Sequence, residues 1–298
     1  MACLQFYATS RICNVIGNHK EIQFMKVKNT NIPLPALAGE LVGTFVLAII
    51  ALTIGQPLLV GLTLVVLVLG LNVISGANLN PAVTFALWSV KKMDTVKALF
   101  YWLAQFIGGL FALYVTQLFK GGETQISLSS FTSFDARIVA AEVIGMAIFA
   151  FVLVSVVNRK APEGVLASAI GLALMVGLYA GGGLLNLAAQ NVSADAKSAP
   201  RVTKVDGAVL NPAIALAATE KEDQSSALQQ QLGGSAKTTT PVSRLTLETT
   251  VGTLVGAALG ANLFMLLAGE SPFAKKKTVA EKVTTTIKKA SKKVKGKK

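Results

Sequence analysis

The sequence predicts an all-α membrane protein with six transmembrane helices and two re-entrant half-helices, arranged as an inverted repeat. Three observations carry this: an apolar composition with few charges, six apolar runs of bilayer-crossing length, and an Asn-Pro-Ala box in each half. Of the 298 residues, 52% are hydrophobic and 14% charged, and the mean hydropathy is +0.58. A soluble domain carries about 25% charged residues.

A crossing takes about 20 residues of helix. The runs near 34–54, 57–75, 97–118, 137–157, 163–185 and 245–268 supply that length with at most one or two charges each, mainly at the ends. Soluble core helices are rarely so long and so uncharged. The segment 1–33 ahead of them has no apolar run followed by a small-residue cleavage site, so no signal peptide is expected. Arg11 without an acid before Glu21 leaves a transit segment open; the alternative is that Met25, followed by Lys26 and Lys28, is the natural start.

The first and fourth runs repeat. Residues 38–49 (Ala-Gly-Glu-Leu-Val-Gly-Thr-Phe-Val-Leu-Ala-Ile) resemble 140–151 (Ala-Ala-Glu-Val-Ile-Gly-Met-Ala-Ile-Phe-Ala-Phe), each with a Glu three residues before a Gly. The third and sixth also match: 104–109, with Gln105, lies over 252–257. Three helices per half turn the second copy upside down, and such folds put the substrate path where the halves meet. Glu40 and Glu142 stand at membrane depth, where a carboxylate is expensive and normally faces the interior. Each is expected to be a buried acceptor for a re-entrant loop, the alternative being a helix-end residue that reaches the interface.

Between the second and third runs lies Asn78-Leu79-Asn80-Pro81-Ala82, and between the fifth and sixth Val209-Leu210-Asn211-Pro212-Ala213. Each box precedes an apolar stretch too short to span. Asn is a good N-cap, and Pro belongs at the first helical position. Each box therefore predicts a loop that enters the membrane and becomes a half-helix at Asn-Pro. Entering from opposite faces, the two meet near mid-membrane with their positive ends and Asn amides converging. Neutral molecules with lone pairs then accept hydrogen bonds from Asn80 and Asn211, and cations are repelled.

The net charge of +13 does not point to nucleic acid, because residues 275–298 hold 11 of the 28 Lys and Arg and one acid, Glu281. This basic tail reads as attachment to anionic lipid or as a solvated segment that enforces topology. Lys20, Lys26, Lys28, Lys91, Lys92, Arg159, Lys160 and the tail fall on one side, which the positive-inside rule makes cytoplasmic, with both termini. Cys3, Cys13 and the single histidine, His19, lie near the N-terminus, so no disulfide framework, metal cluster or nucleophile–base pair can be assembled. No cofactor and no enzymatic activity are expected.

From about 34 to 268 the chain resembles the aquaporin (major intrinsic protein) family in both boxes, both helix glutamates and the Gln105 segment. The resemblance implies a channel domain with halves 34–118 and 137–268, between an N-terminal cytoplasmic segment 1–33 and a basic cytoplasmic tail 269–298. It implies a homotetramer of right-handed six-helix bundles in the cell membrane, with one pore per subunit, passing water or small uncharged solutes such as glycerol. The signature residues carried over are Asn80, Pro81, Ala82, Asn211, Pro212 and Ala213.

The chain also departs from the family. Asn78 stands where a His is usual, Ile214 where an Arg nearly always follows the second box, and Ala215 where the glycerol branch has Asp. By the resemblance the filter positions are Val60, Leu178, Ala208 and Ile214, a set with neither donor nor charge. Either this filter is wide and apolar, or another basic residue replaces the arginine. Lys197, Arg201 and Lys204 in the loop 186–206 are the candidates, against plain solvated loop charges. The polar stretch 219–244 reads as a flexible surface loop. The leading expectation is a passive channel. A coupled transporter needs a titratable pore group, and a scaffold needs a closed pore and a lipid-binding tail.

Overall fold

Proline and small polar residues set where each apolar run becomes helix. The computed structural model describes residues 24–27, 30–120, 126–192, 200–221 and 241–270. Helix α1 (Leu34–Thr53) follows Pro33, and α2 (Pro57–Leu71) begins on a proline, where a missing N–H is harmless. The half-helix α3 (Pro81–Ser89) precedes α4 (Thr95–Lys120). The second half runs through α5 (Ala136–Asn158), α6 (Glu163–Gln190), the half-helix α7 (Pro212–Ala217) and α8 (Leu247–Leu267). Asp135 caps α5 by accepting from the Arg137 N–H, and Thr246 caps α8 by accepting from the Thr249 N–H.

Five of these helices are long and apolar enough to cross a membrane. The second run differs from expectation, because α2 as a regular helix has only 15 residues. Its backbone nevertheless continues in helical hydrogen bonds, with Ser75 N–H donating to Leu71 O at 2.9 Å and Gly76 N–H to Asn72 O at 3.0 Å. One short hairpin accompanies the helices of this all-α membrane fold. Strands β1 (Phe24–Val27) and β2 (Thr30–Pro33) pair antiparallel just ahead of α1. The basic tail, Cys3, Cys13, His19 and Lys197 lie outside the described residues.

Packing follows the internal repeat. Helix α1 lies against α4 as α5 lies against α8, and α2 meets its counterpart α6. Each half-helix packs on the other half's last long helix, α3 on α8 and α7 on α4. Small residues permit these approaches, as membrane packing requires: a Cβ on Gly61 would stand 2.7 Å from Gly171 O. Large apolar side chains such as Leu58, Leu62, Val66 and Leu69 of α2 face outward, whereas Glu40, Gln105, Glu142 and Asn211 are buried. A surface this apolar, over a core that also holds buried charged and amide groups, suits lipid rather than water.

Lys92, Asn158 and Glu270 share one end, linked by Lys92 Nζ to Asn158 Oδ1 at 2.5 Å and Asn158 Nδ2 to Glu270 Oε1 at 3.0 Å. The opposite end gathers residues 127–135, 200–221 and 241–248. Two loop expectations change there. Helix α6 runs on to Gln190, so residues 186–190 are helix rather than loop. The described ends of 219–244 are stitched down, with Glu220 N–H donating to Val242 O at 2.9 Å and Ser243 N–H to Ser127 O at 2.8 Å.

Candidate functional site

The loops ahead of α3 and α7 turn through left-handed backbone. Gly76, Ala77 and Leu79 have φ of 91°, 48° and 53°, and Gly207 and Leu210 have 114° and 55°. Such values cost about 1–2 kcal/mol at a residue with a side chain. The buried carboxylates compensate. Glu40 accepts from the N–H groups of Asn78 at 3.0 Å and Leu79 at 2.7 Å, and from Gln105 Nε2 at 2.8 Å. Glu142 accepts from Val209 N–H and Leu210 N–H, both at 2.9 Å. Charge-assisted bonds of this kind are about twice as strong as neutral ones. Leu79 and Leu210 are fully buried, and the glycine three residues after each Glu makes room: a Cβ at Gly43 or Gly145 would strike them.

Each loop ends in an asparagine that caps its half-helix. Asn80 Oδ1 accepts from Ala82 N–H at 2.8 Å; Asn211 Oδ1 accepts from Ala213 N–H at 3.0 Å and Ile214 N–H at 3.4 Å. The amide nitrogens cross between halves. Asn80 Nδ2 donates to Leu210 O at 2.8 Å, and Asn211 Nδ2 donates to Leu79 O at 3.0 Å. A carboxamide carries two N–H groups, so each asparagine keeps one for another acceptor. Pro81, Ala82, Pro212 and Ala213 are buried, and Trp102 Nε1 donates to Pro81 O at 3.0 Å. Asn78 turns away from its loop, donating to Thr84 Oγ1 at 3.1 Å.

A cavity of about 620 Å³ runs from buried Asn78, Asn80 and Asn211 to exposed Gln56, Asn186 and Asp206. Val60, Leu178, Ala208 and Ile214 all line it. This wall is not free of charge, because Arg244 lines the same cavity. Arg244 is 6% exposed, its Nη1 donates to Gly207 O at 2.7 Å, and its Nε and Nη2 have no protein partner. Glu142 Oε1 lies 3.9 Å from Nη2, an ion-pair distance too long for a hydrogen bond. Burial pulls the Arg244 pKa below the usual arginine value, while Glu142 acts to raise it. Buried donors without acceptors cost about 1–3 kcal/mol each, more when charged.

Neither described candidate from the loop lies over the cavity. Arg201 is held in a clamp, its Nη2 donating to Glu248 Oε1 at 2.6 Å and its Nη1 to Glu220 and to Ser130 Oγ at 3.3 Å. Glu248 also accepts from Asp135 N–H at 2.7 Å. Arg201 is therefore a partly buried tie to Ser130, Glu220 and the first turn of α8 rather than a solvated charge. Lys204 accepts through its backbone O from Lys221 N–H and does not line the cavity. Sequence reasoning missed Arg244 because it precedes an apolar run and reads as an ordinary membrane-border charge. Its one signal is isolation, as no other Lys or Arg occurs between Lys237 and Lys275. Among the described residues, no group of three or more His, Cys, Asp or Glu side chains is placed to hold a metal.

A sequence model of the family described as Major intrinsic protein matches residues 43–194, a stretch that contains Asn80 and ends ahead of Asn211. Aquaporin Z of Photorhabdus laumondii is 32% identical over 171 residues, covering 48% of this chain and 74% of that protein. Aquaporin TIP1-2 of Musa acuminata is 32% identical over 145 residues, or 47% and 49% of the two chains. The X-ray structure of the aquaglyceroporin from Plasmodium falciparum aligns with a TM-score of 0.47 and 22% identity, covering 78% of this chain and 94% of that one.

Proposed function

This chain belongs to the major intrinsic protein family, a multi-pass membrane family of channels for water or small solutes, and from that premise we propose that it is a passive channel whose pore passes the Asn80–Asn211 crossing. The observation that carries the reading is the pair of reciprocal bonds between the boxes. They hold two amides side by side at the inner end of the cavity, each with one donor left over. A solute oxygen accepts from both in turn, and among the described residues the charged side chains that line the cavity are Asp206 and Arg244. The N-termini of α3 and α7 add positive potential at the same point.

In this reading the channel domain is 34–268, in halves 34–118 and 137–268, and Val60, Leu178, Ala208 and Ile214 form the apolar side of its filter. Glu40 and Glu142 fix the loops and take no part in transport. A homotetramer with one pore per subunit, cytoplasmic termini and a place in the cell membrane rest on the family resemblance and the lysine distribution. Stopped-flow light scattering on proteoliposomes tests the proposal, comparing shrinkage under an impermeant osmolyte with re-swelling in glycerol. Flux well above protein-free vesicles in either arm is the expected result. No flux from intact, folded protein in both arms would sink the channel and favour a scaffold that acts through its basic tail.

A further inference from the structure

The helical start of α8 is delayed relative to its counterpart. In the register that pairs Gln105 with Thr253, α4 is helical from Thr95, whereas α8 begins only at Leu247 and residues 243–246 stay unwound. The unwound segment is sewn onto the end of α7. Ser243 Oγ donates to Ala215 O at 3.1 Å and Leu216 O at 2.9 Å, and Arg244 N–H donates to Ala218 O at 2.9 Å. That stitching turns the Arg244 side chain back to Gly207 O, onto the wall of the cavity that Ile214 also lines.

We propose that Arg244 is the selectivity-determining residue of this pore, offering its free guanidinium donors to the oxygen of a small neutral solute and barring cations. The inference rests on the channel reading and adds to it a residue from a different element. Two observations support it independently of the cavity's apolar residues. Nε and Nη2 are more than nine-tenths buried and lack a protein acceptor, so the acceptor they need comes from what occupies the cavity. The nearest carboxylate, Glu142, has both oxygens engaged by loop N–H groups and stands 3.9 Å away, so it balances the charge without consuming the donors. Asp206, the other charge bordering the cavity, is exposed and paired with Lys221 at 2.5 Å. Arg244 is thus the one buried charge among the described lining residues.

The test uses full-length protein in proteoliposomes, with water shrinkage, glycerol re-swelling and dye-reported K⁺ and proton entry measured on wild type, Arg244→Ala, Arg244→Lys and Arg244→Ala/Ile214→Arg. Thermal melting in detergent identifies folded variants. Wild type is expected to pass neutral solute and hold back K⁺ and protons. Arg244→Ala is expected to raise the glycerol-to-water ratio and the cation leak at least tenfold, and Ile214→Arg in the same chain to reverse most of both. Arg244→Lys keeps the charge beside Glu142 but loses the fork. If the alanine variant does not fold, the lysine variant carries the test, with a changed glycerol-to-water ratio and an unchanged cation barrier expected. Folded Arg244 variants with wild-type ratios and leak overturn the inference and leave the channel intact. A wild type that conducts nothing fails the channel reading, and the inference falls with it.

Discussion

The two halves hold their re-entrant loops with the same carboxylate in different company. Glu40 binds two loop N–H groups and a neutral amide, Gln105, which also donates to Thr84 Oγ1 at 2.9 Å. Glu142 binds two loop N–H groups and faces a cation, Arg244. Thr253, which stands where Gln105 does, turns back on its own helix and donates to Thr250 O at 3.0 Å. The first half therefore meets its carboxylate with neutral donors alone. The second sets a cation with donors to spare beside its carboxylate, and that cation lies on the wall of the cavity. Symmetric sequence builds the scaffold, and the breach of symmetry marks where chemistry is selected.

The sharpest way to break this comparison is to neutralise the two acids. Removing one partner of a buried ion pair costs about 3–5 kcal/mol, because the other charge is left uncompensated. Losing one bond to a buried neutral partner costs about 1–3 kcal/mol. Glu142→Gln should therefore destabilise far more than Glu40→Gln in an SDS-titration unfolding experiment, and equal losses would mean that Arg244 is not balanced by Glu142.

The glycine notches give a smaller contrast. At Gly145 an added Cβ would meet the backbone oxygen of Gly177 at 2.6 Å and Leu210 Cδ2 at 2.9 Å; at Gly43 it meets only the flexible ends of Leu79 and Leu71. Overpacking costs about 1–3 kcal/mol. Gly145→Ala should fall at the upper end of that range and Gly43→Ala at the lower, read from the same unfolding curves. The asparagines should instead behave alike. Asn80→Ala and Asn211→Ala each lose a cap of about 1 kcal/mol and a cross-half bond of about 1 kcal/mol. Because each bonds to the other's loop, the double variant should lose less than the sum of the two singles.

The smallest effect is at the start of the repeat. In the register that pairs Glu40 with Glu142, Pro33 offers α1 no side-chain cap where Asp135 caps α5. The Arg137 side chain, bonded at 2.8 Å, and its N–H hold the Asp135 carboxyl below its usual 3.8. A lowered carboxylate pKa contributes stability that is full above the unfolded value and is lost as pH falls through the folded one. Asp135→Ala should therefore cost about 1 kcal/mol near neutral pH. Its melting temperature should converge on that of wild type as the pH is taken below about 4.

Much of this was legible in the sequence because local rules decide it. Apolar length gives the helices, Pro57, Pro81 and Pro212 open theirs at the first position, and the Glu-x-x-Gly repeat announces paired loops. Val60, Leu178, Ala208 and Ile214 do line one cavity. What stayed illegible is set by contacts without periodicity. Arg201 finds Glu248 and Glu220 at separations of 47 and 19 residues, and Arg244 reaches Gly207 across 37. A search for the missing cation around the second box looks along the chain, whereas this arginine arrives through space.

The central claim is that solute passes along the cavity bordered by Ala208, Ile214 and Arg244 to the crossed asparagines. Its most direct test is Ala208→Cys in a chain whose own Cys3 and Cys13 are changed to Ser, reconstituted and treated with a small water-soluble methanethiosulfonate. The account predicts that modification of Cys at 208 suppresses the flux and that reduction restores it. Stoichiometric modification that leaves the flux unchanged would contradict it.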